Sequence, residues 1–345
     1  MSPLDAEERN GRGTFGRARV RSVWREDLTM WAYILRRLLL MIPVLILVSM
    51  IAFSILLLLP GDPALAILGP ERARDTVAYQ ALREELGLNR SIPVQYLSWV
   101  SKMLVGDFGN SAHYQQPVTL LIGQSIGPTV QLAVTALLIA LLIAIPIGVM
   151  SAVRPGSWLD LLGTTLALSG VAIPNFLLGI LMIMLFSLVL RLLPVGGYVP
   201  FTQNPVESMR LMLMPAVALG LGLAAVLMRQ IRSAMLEVMS QDYVTTARAK
   251  GLSGQHVVLR HALKNALIPV ITVIGVQIGR LMGGTVVIET IFSVPGMGKL
   301  AVASIFFRDF PVVQVEVLLI GTAILFSNLV TDLLYGVLDP RVRYD

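Results

Sequence analysis

The sequence predicts an all-α integral membrane protein with six transmembrane helices, and three observations carry that reading. Hydrophobic residues make up 55% of the 345 positions and charged residues only 14%, whereas soluble domains carry about 25% charged residues. Six apolar stretches reach the roughly 20 residues needed to cross a hydrocarbon core about 30 Å thick. Most lysines and arginines gather in the gaps between those stretches instead of covering one soluble face, so the net charge of +6 points away from nucleic acid as a partner.

In chain order, a polar tail over 1–33 precedes a first span at 34–59. A basic stretch before this span and Ala64-Leu65-Ala66 after it mimic a cleavable signal peptide. The apolar run is too long for that, because a signal core covers about 7 to 15 residues, so the first helix is expected to stay uncleaved. The loop 60–127 has nearly balanced charge and a helix-like run, DTVAYQALREELGL, and is punctuated by LPGDP (59–63) and GDFGNS (106–111). Such a loop is expected to fold as a small extracytoplasmic domain. The core follows over 128–338, with spans at 128–152, 161–190, 212–230, 267–290 and 312–338, and a short tail at 339–345. Pro43, Pro146, Pro174 and Pro269 fall inside spans, where neighbouring helices can satisfy the carbonyls a proline frees.

Orientation follows from the positive flanks. Seventeen lysines and arginines lie on the side holding the tails, the Arg154 turn and the loop from Arg229 to Lys264; nine lie on the other side. Both termini and the loop 242–265 are therefore expected in the cytoplasm.

Catalytic and metal chemistry find little support. Cysteine is absent, which excludes disulfides and thiolate sites. Gly123-Gln124-Ser125-Ile126-Gly127 matches a nucleophile elbow, but Pro128 follows and opens a membrane helix where a strand-to-helix turn is required. Pro295-Gly296-Met297-Gly298-Lys299-Leu300 lacks the first glycine and the hydroxyl residue of a phosphate-binding loop. His256 and His261 are five residues apart, which in an α-helix turns their rings roughly 140° from each other, so no metal site is expected.

Within the fifth span, Gly275, Gly279 and Gly283 recur every fourth residue and form a double G-x-x-x-G stripe for close helix packing, either inside the chain or between subunits. Arg280 lies near the middle of the same span, where a charge needs a cavity or a carboxylate. It is a candidate for lining a translocation path; the alternative is a structural pair with Asp332. Before that span, Asp242 can cap a short helix that Gly251 ends, and Ser253 can cap a second. Ala247 and Ala249 would allow close approach of a partner, while Arg248 and Lys250 supply charge for an acidic groove. A basic loop held near anionic lipid is the simpler alternative.

These residues resemble the membrane permease subunits of ATP-binding-cassette importers, in the dipeptide, oligopeptide and nickel branch. The resemblance covers nearly everything after residue 32: YILRRLLLMIPVLILVSMIAFSILLLLPGDPA (33–64), GDFGNS, AIPNFLLG (172–179), DYVTTARAKGLSGQHVVLRHALKNALIP (242–269), VIETIFSVPGMGKLA (287–301) and LLYGVLDPRVR (333–343). It implies a type I importer permease fold and a cytoplasmic EAA-x3-G signature that docks on the ATPase. Carried over, Gly251 is the signature glycine and Ala247 its last alanine, whereas Thr245 and Thr246 replace the acid and first alanine. It further implies a non-catalytic subunit in a bacterial inner membrane, a second homologous permease, two ATPase subunits that bind the ATP and magnesium, an extracytoplasmic binding protein and a peptide-like substrate. Close relatives of such a chain carry glutathione, chelated nickel or oligosaccharides. An ion-coupled secondary transporter would call for membrane-embedded acids and inverted repeats, and neither is evident in the sequence.

Overall fold

The protein is seen in a computed structural model that describes residues 14–58, 64–65, 76–85 and 87–338. The LPGDP turn, the tail at 339–345 and the packing of Gly283 lie outside the described residues. Among those described, every regular element is helical. The first is α1 (Thr14–Leu58), whose apolar part is Ile34–Ile55. The loop after it holds α2 (Thr76–Glu85) and α3 (Ile92–Leu104). Then come α4 (Val118–Val153), α5 (Trp158–Ala172) and α6 (Asn175–Met182), the last running on into a wider π-helical stretch, Ile183–Val189. The long α7 (Pro205–Met239) leads into the short α8 (Asp242–Ala249). A turn at Gly254–His256 and a π-helical stretch, Val257–Ala262, enter α9 (Leu263–Gly284). The chain ends through α10 (Val286–Ile291), α11 (Met297–Phe306) and α12 (Phe310–Leu338).

Five of these helices are long and apolar enough to cross a membrane, and α5 with α6 makes a sixth span only as a broken one. The continuous helix expected over 161–190 is bent by 98° at Ile173–Pro174. Proline disfavours the helical region for the residue before it, and here, unlike at Pro128 or Pro146, Ile173 leaves it, with φ −83° and ψ 121°. The second span begins at Val118 rather than 128, and Pro128 sits inside it, so Ser125 lies within a helix and no nucleophile elbow forms.

The core is the pairing of α4 with α7. Ala136, Ala140, Ala144 and Gly148 line one face of α4 at four-residue spacing and are buried or nearly so. A Cβ on Gly148 would meet Ile231 at 3.0 Å, and one on Gly220 of α7 would meet the Ala136 carbonyl at 2.9 Å. Backbones this close gain dispersion contacts along their whole length, the main source of helix association where lipid is as apolar as leucine. On the other side, α12 packs between α9 and α1. A side chain at Gly275 would collide with Thr331, Gly279 faces Ile324 at 3.7 Å, and the Ser327 hydroxyl donates to the Gly275 carbonyl at 2.9 Å. Gly275 and Gly279 thus serve a contact within the chain.

Candidate functional site

The loop between α7 and α9 is built on a small core of its own. Val244, Ala247 and Val257 are buried together, with Met239 at the end of α7 against them. Gln241, not Asp242, occupies the N-cap (φ −76°, ψ 149°), and Asp242 is the first helical residue, where its charge suits the positive end of the helix. α8 closes in a Schellman motif: the Leu252 N–H donates to the Ala247 carbonyl at 3.4 Å and the Gly251 N–H to the Arg248 carbonyl at 2.9 Å. Gly251 has φ +79° with open space where a Cβ would sit, so conformation, not crowding, requires glycine there.

This geometry corrects the expectation for Ala247. Residues three apart on a helix share a face, and Ala247 follows Val244 inward to Val257. The side chains free to meet a partner are Arg248, Ala249 and Lys250, with Asp242 and Tyr243 at the other end, all exposed. Ser253 caps the next turn by accepting from the His256 N–H at 3.4 Å. The divergence expected of His256 and His261 is also corrected: their ring centroids are 5.7 Å apart. His256 precedes a π-helical stretch and His261 lies within it, and i to i+5 bonding stacks residues five apart. Among the described residues no group of three or more metal-ligating side chains forms. Asn265 donates to the Tyr243 hydroxyl at 3.0 Å and so fastens α8 to the start of α9.

The break between α5 and α6 opens a cavity of about 420 Å³. Its wall includes Pro174 and Asn175 from the break, Gly222 and Val226 from α7, and Gln277 and Arg280 from α9. Gly222 is needed for this shape, because a Cβ there would lie 2.6 Å from Oδ1 of Asn175. Arg280 is exposed toward the cavity and makes no ion pair among the described residues. Asp332 is instead held by Arg37, at 2.6 Å. The reason is register: with Gly275 opposite Thr331 and Gly279 opposite Ile324 in antiparallel helices, Asp332 lies more than two turns, roughly 12 Å, from the level of Arg280.

Two buried carboxylates, neither of them a partner of Arg280, stitch the opposite end of the molecule. Glu289 is fully buried and accepts from the hydroxyls of Thr129 at 2.7 Å and Thr285 at 2.8 Å and from the Lys299 N–H at 2.9 Å. Gly296 leaves room for it, since a Cβ there would strike the carboxylate, while a Cβ on Gly298 would clash with Val286 at 2.7 Å and crowd the carboxylate at 3.0 Å. The VIETIFSVPGMGKLA stretch is therefore a loop wrapped around its own glutamate. Asp309, also buried, accepts from the Ser111 hydroxyl and from the N–H groups of Ala112 (3.1 Å) and His113 (3.3 Å), tying the GDFGNS stretch to the start of α12. Burial pushes the nearby Tyr114 hydroxyl above the ordinary tyrosine pKa, with the Asp309 and Glu316 charges adding to the effect. Glu316, 1% exposed, is an acid inside the last span, which corrects the expectation that none is there.

Residues 144–344 match the family described as "Binding-protein-dependent transport system inner membrane component", and residues 30–137 match its N-terminal counterpart. A glutathione transport system permease protein of Salmonella typhimurium is 42% identical over 312 residues, covering 90% of this chain and 99% of the relative. A putative peptide transport system permease protein of Brucella abortus is 43% identical over 316 residues (92% and 100%), and a probable peptide ABC transporter permease protein of Sinorhizobium fredii is 40% identical over 315 residues (91% and 100%). With matches of that extent on a helical bundle of apolar spans, the chain belongs to the binding-protein-dependent transport system inner membrane components, as a multi-pass permease subunit of an ATP-binding-cassette importer.

Proposed function

We propose that this permease moves di- or oligopeptides inward, in a complex with a second homologous permease and two ATPase subunits, and receives its substrate from an extracytoplasmic binding protein. Relatives named for peptide and glutathione transport support that substrate class, glutathione being itself a short peptide. ATP and magnesium bind the ATPases in this reading, both termini lie in the cytoplasm, and Arg280 lines the path. The observation that carries the reading is the loop of α8: an exposed edge of Arg248, Ala249 and Lys250 on a core shared with the end of α7. A rigid, charged edge fixed to a core helix suits docking on a moving partner better than a solvated tether does.

Uptake of a dipeptide by the reconstituted complex, with ATP supplied on the loop side, tests this directly. Gly251→Val strains the Schellman turn by forcing a β-branched residue to φ +79° and should abolish substrate-stimulated ATP hydrolysis while α9 and α12 still assemble. Parental uptake and hydrolysis in that variant would reject the docking role. For orientation, single cysteines at the exposed Gln116 and Gln203 should label from outside, and one at Ser253 only from inside.

A further inference from the structure

Arg280 is not the only exposed arginine without an ion pair among the described residues. Gly222, Val226 and Arg229 follow each other on α7 at spacings of four and three, which puts them on one stripe of the helix. Gly222 and Val226 face the Arg280 cavity; Arg229 faces a second cavity of about 200 Å³, and Val171 of α5 belongs to the walls of both. Arg229 is exposed and, like Arg280, makes no ion pair among the described residues. Arg232, one turn further, also reaches the second cavity, but its charge is taken up by Asp160 at 2.6 and 2.9 Å. Among the described residues neither wall contains an acid. Arg229 lies two turns, roughly 10 Å, nearer to the α8 loop than Gly222 does.

We propose that this stripe is a two-station path for a carboxylate, so that the chain selects peptides with a free C-terminal carboxyl group; the inference rests on the peptide reading above. Arg280, with the side-chain amides of Asn175 and Gln277 beside it, receives the carboxylate. Arg229 takes it next, closer to the loop. A guanidinium binds a carboxylate through two parallel N–H donors, and away from bulk water that pairing strengthens. Two moderate sites in succession also solve the release problem, because one deep site would hold the substrate instead of passing it on.

The test uses the full complex in proteoliposomes with trialanine and trialanine amide as probes, and the same binding protein throughout. The parental complex should favour the acid, and Arg280→Gln should lower trialanine uptake by about tenfold, the loss of one charge-assisted hydrogen-bond pair, while barely changing uptake of the amide. Arg280→Lys should keep the preference for the acid, and Arg229→Gln should reduce it less than Arg280→Gln does. An acid-to-amide ratio equal in the parental, Arg280→Gln and Arg229→Gln complexes overturns the proposal while leaving a peptide importer standing. A parental complex that takes up neither probe overturns the peptide reading itself. Should Arg280→Gln fail to assemble, the ratio in Arg229→Gln decides.

Discussion

Arg232 and Arg280 occupy the same bundle and meet opposite fates. Arg232 projects from α7 onto Asp160 at the start of α5, where both carboxylate oxygens are engaged and the Gly156 N–H adds a third contact at 2.9 Å. Asp160 is only 6% exposed, so the pair is locked into the bundle. Arg280 projects from α9 into a cavity with two amides and, among the described residues, no acid. A charge that has been given its partner fixes two helices to each other; one left without a partner is available to something that arrives later. The same side chain is architecture in one place and machinery in the other.

The comparison breaks first if Asp160 can be removed without harm. Asp160→Ala leaves Arg232 partly buried and unpaired, and the expected cost is about 2 to 3 kcal/mol, seen as loss of folded protein in the membrane and restored when Arg232 is also made leucine. Placing an acid within reach of Arg280 sharpens it from the other side. Val226→Glu puts a carboxylate on the wall of the Arg280 cavity, one turn from Arg229, and its pairing with either arginine should raise the melting temperature of the extracted protein by the equivalent of about 1 kcal/mol or more while blocking uptake. Ala247→Trp serves as a packing control far from either arginine: overfilling the Val244 and Val257 cluster should cost about 1 to 3 kcal/mol in thermal melting without altering probe selectivity. The smallest effect belongs to Arg210, whose contact with Glu207 is 3.7 Å long and open to water. Arg210→Ala should shift stability by about 0.5 kcal/mol or less, and a larger loss would mean that the value of an arginine pair here does not follow its burial.

Much of this was legible in the sequence, for reasons that differ by element. Apolar length revealed the spans because a bilayer imposes one length on every helix that crosses it. Gly251 was legible because a glycine after a short polar helix has one common use, the left-handed turn. The bend at Ile173–Pro174 was not, since proline inside a span is usually tolerated and only the surrounding packing decides between a kink and a break. Ala247 was misjudged because an exposed-looking polar loop turned out to own a core, and that core depends on Val257 ten residues away. The histidine pair was hidden by a local change of helix type, and the roles of Glu289 and Asp309 by partners 160 and 198 positions distant. No periodicity reports a contact of that kind.

The helix α7 joins the two places where the protein is expected to act. Its last residues rest on the α8 core, and its middle forms the wall of the Arg280 cavity. Between Gly222 and Met239 it holds no proline, the only internal one being Pro215 beyond the cavity. That uninterrupted length is roughly 25 Å, so α7 is a stiff arm whose short end is gripped at the loop. A tilt of roughly 10° at the grip would carry the cavity wall sideways by roughly 4 Å, about the width of a methylene chain. Arg232, seven residues from the grip, would move by only roughly 2 Å in the same tilt, so a small motion at the clamp is enlarged about twofold at the cavity wall and would narrow one side of the path.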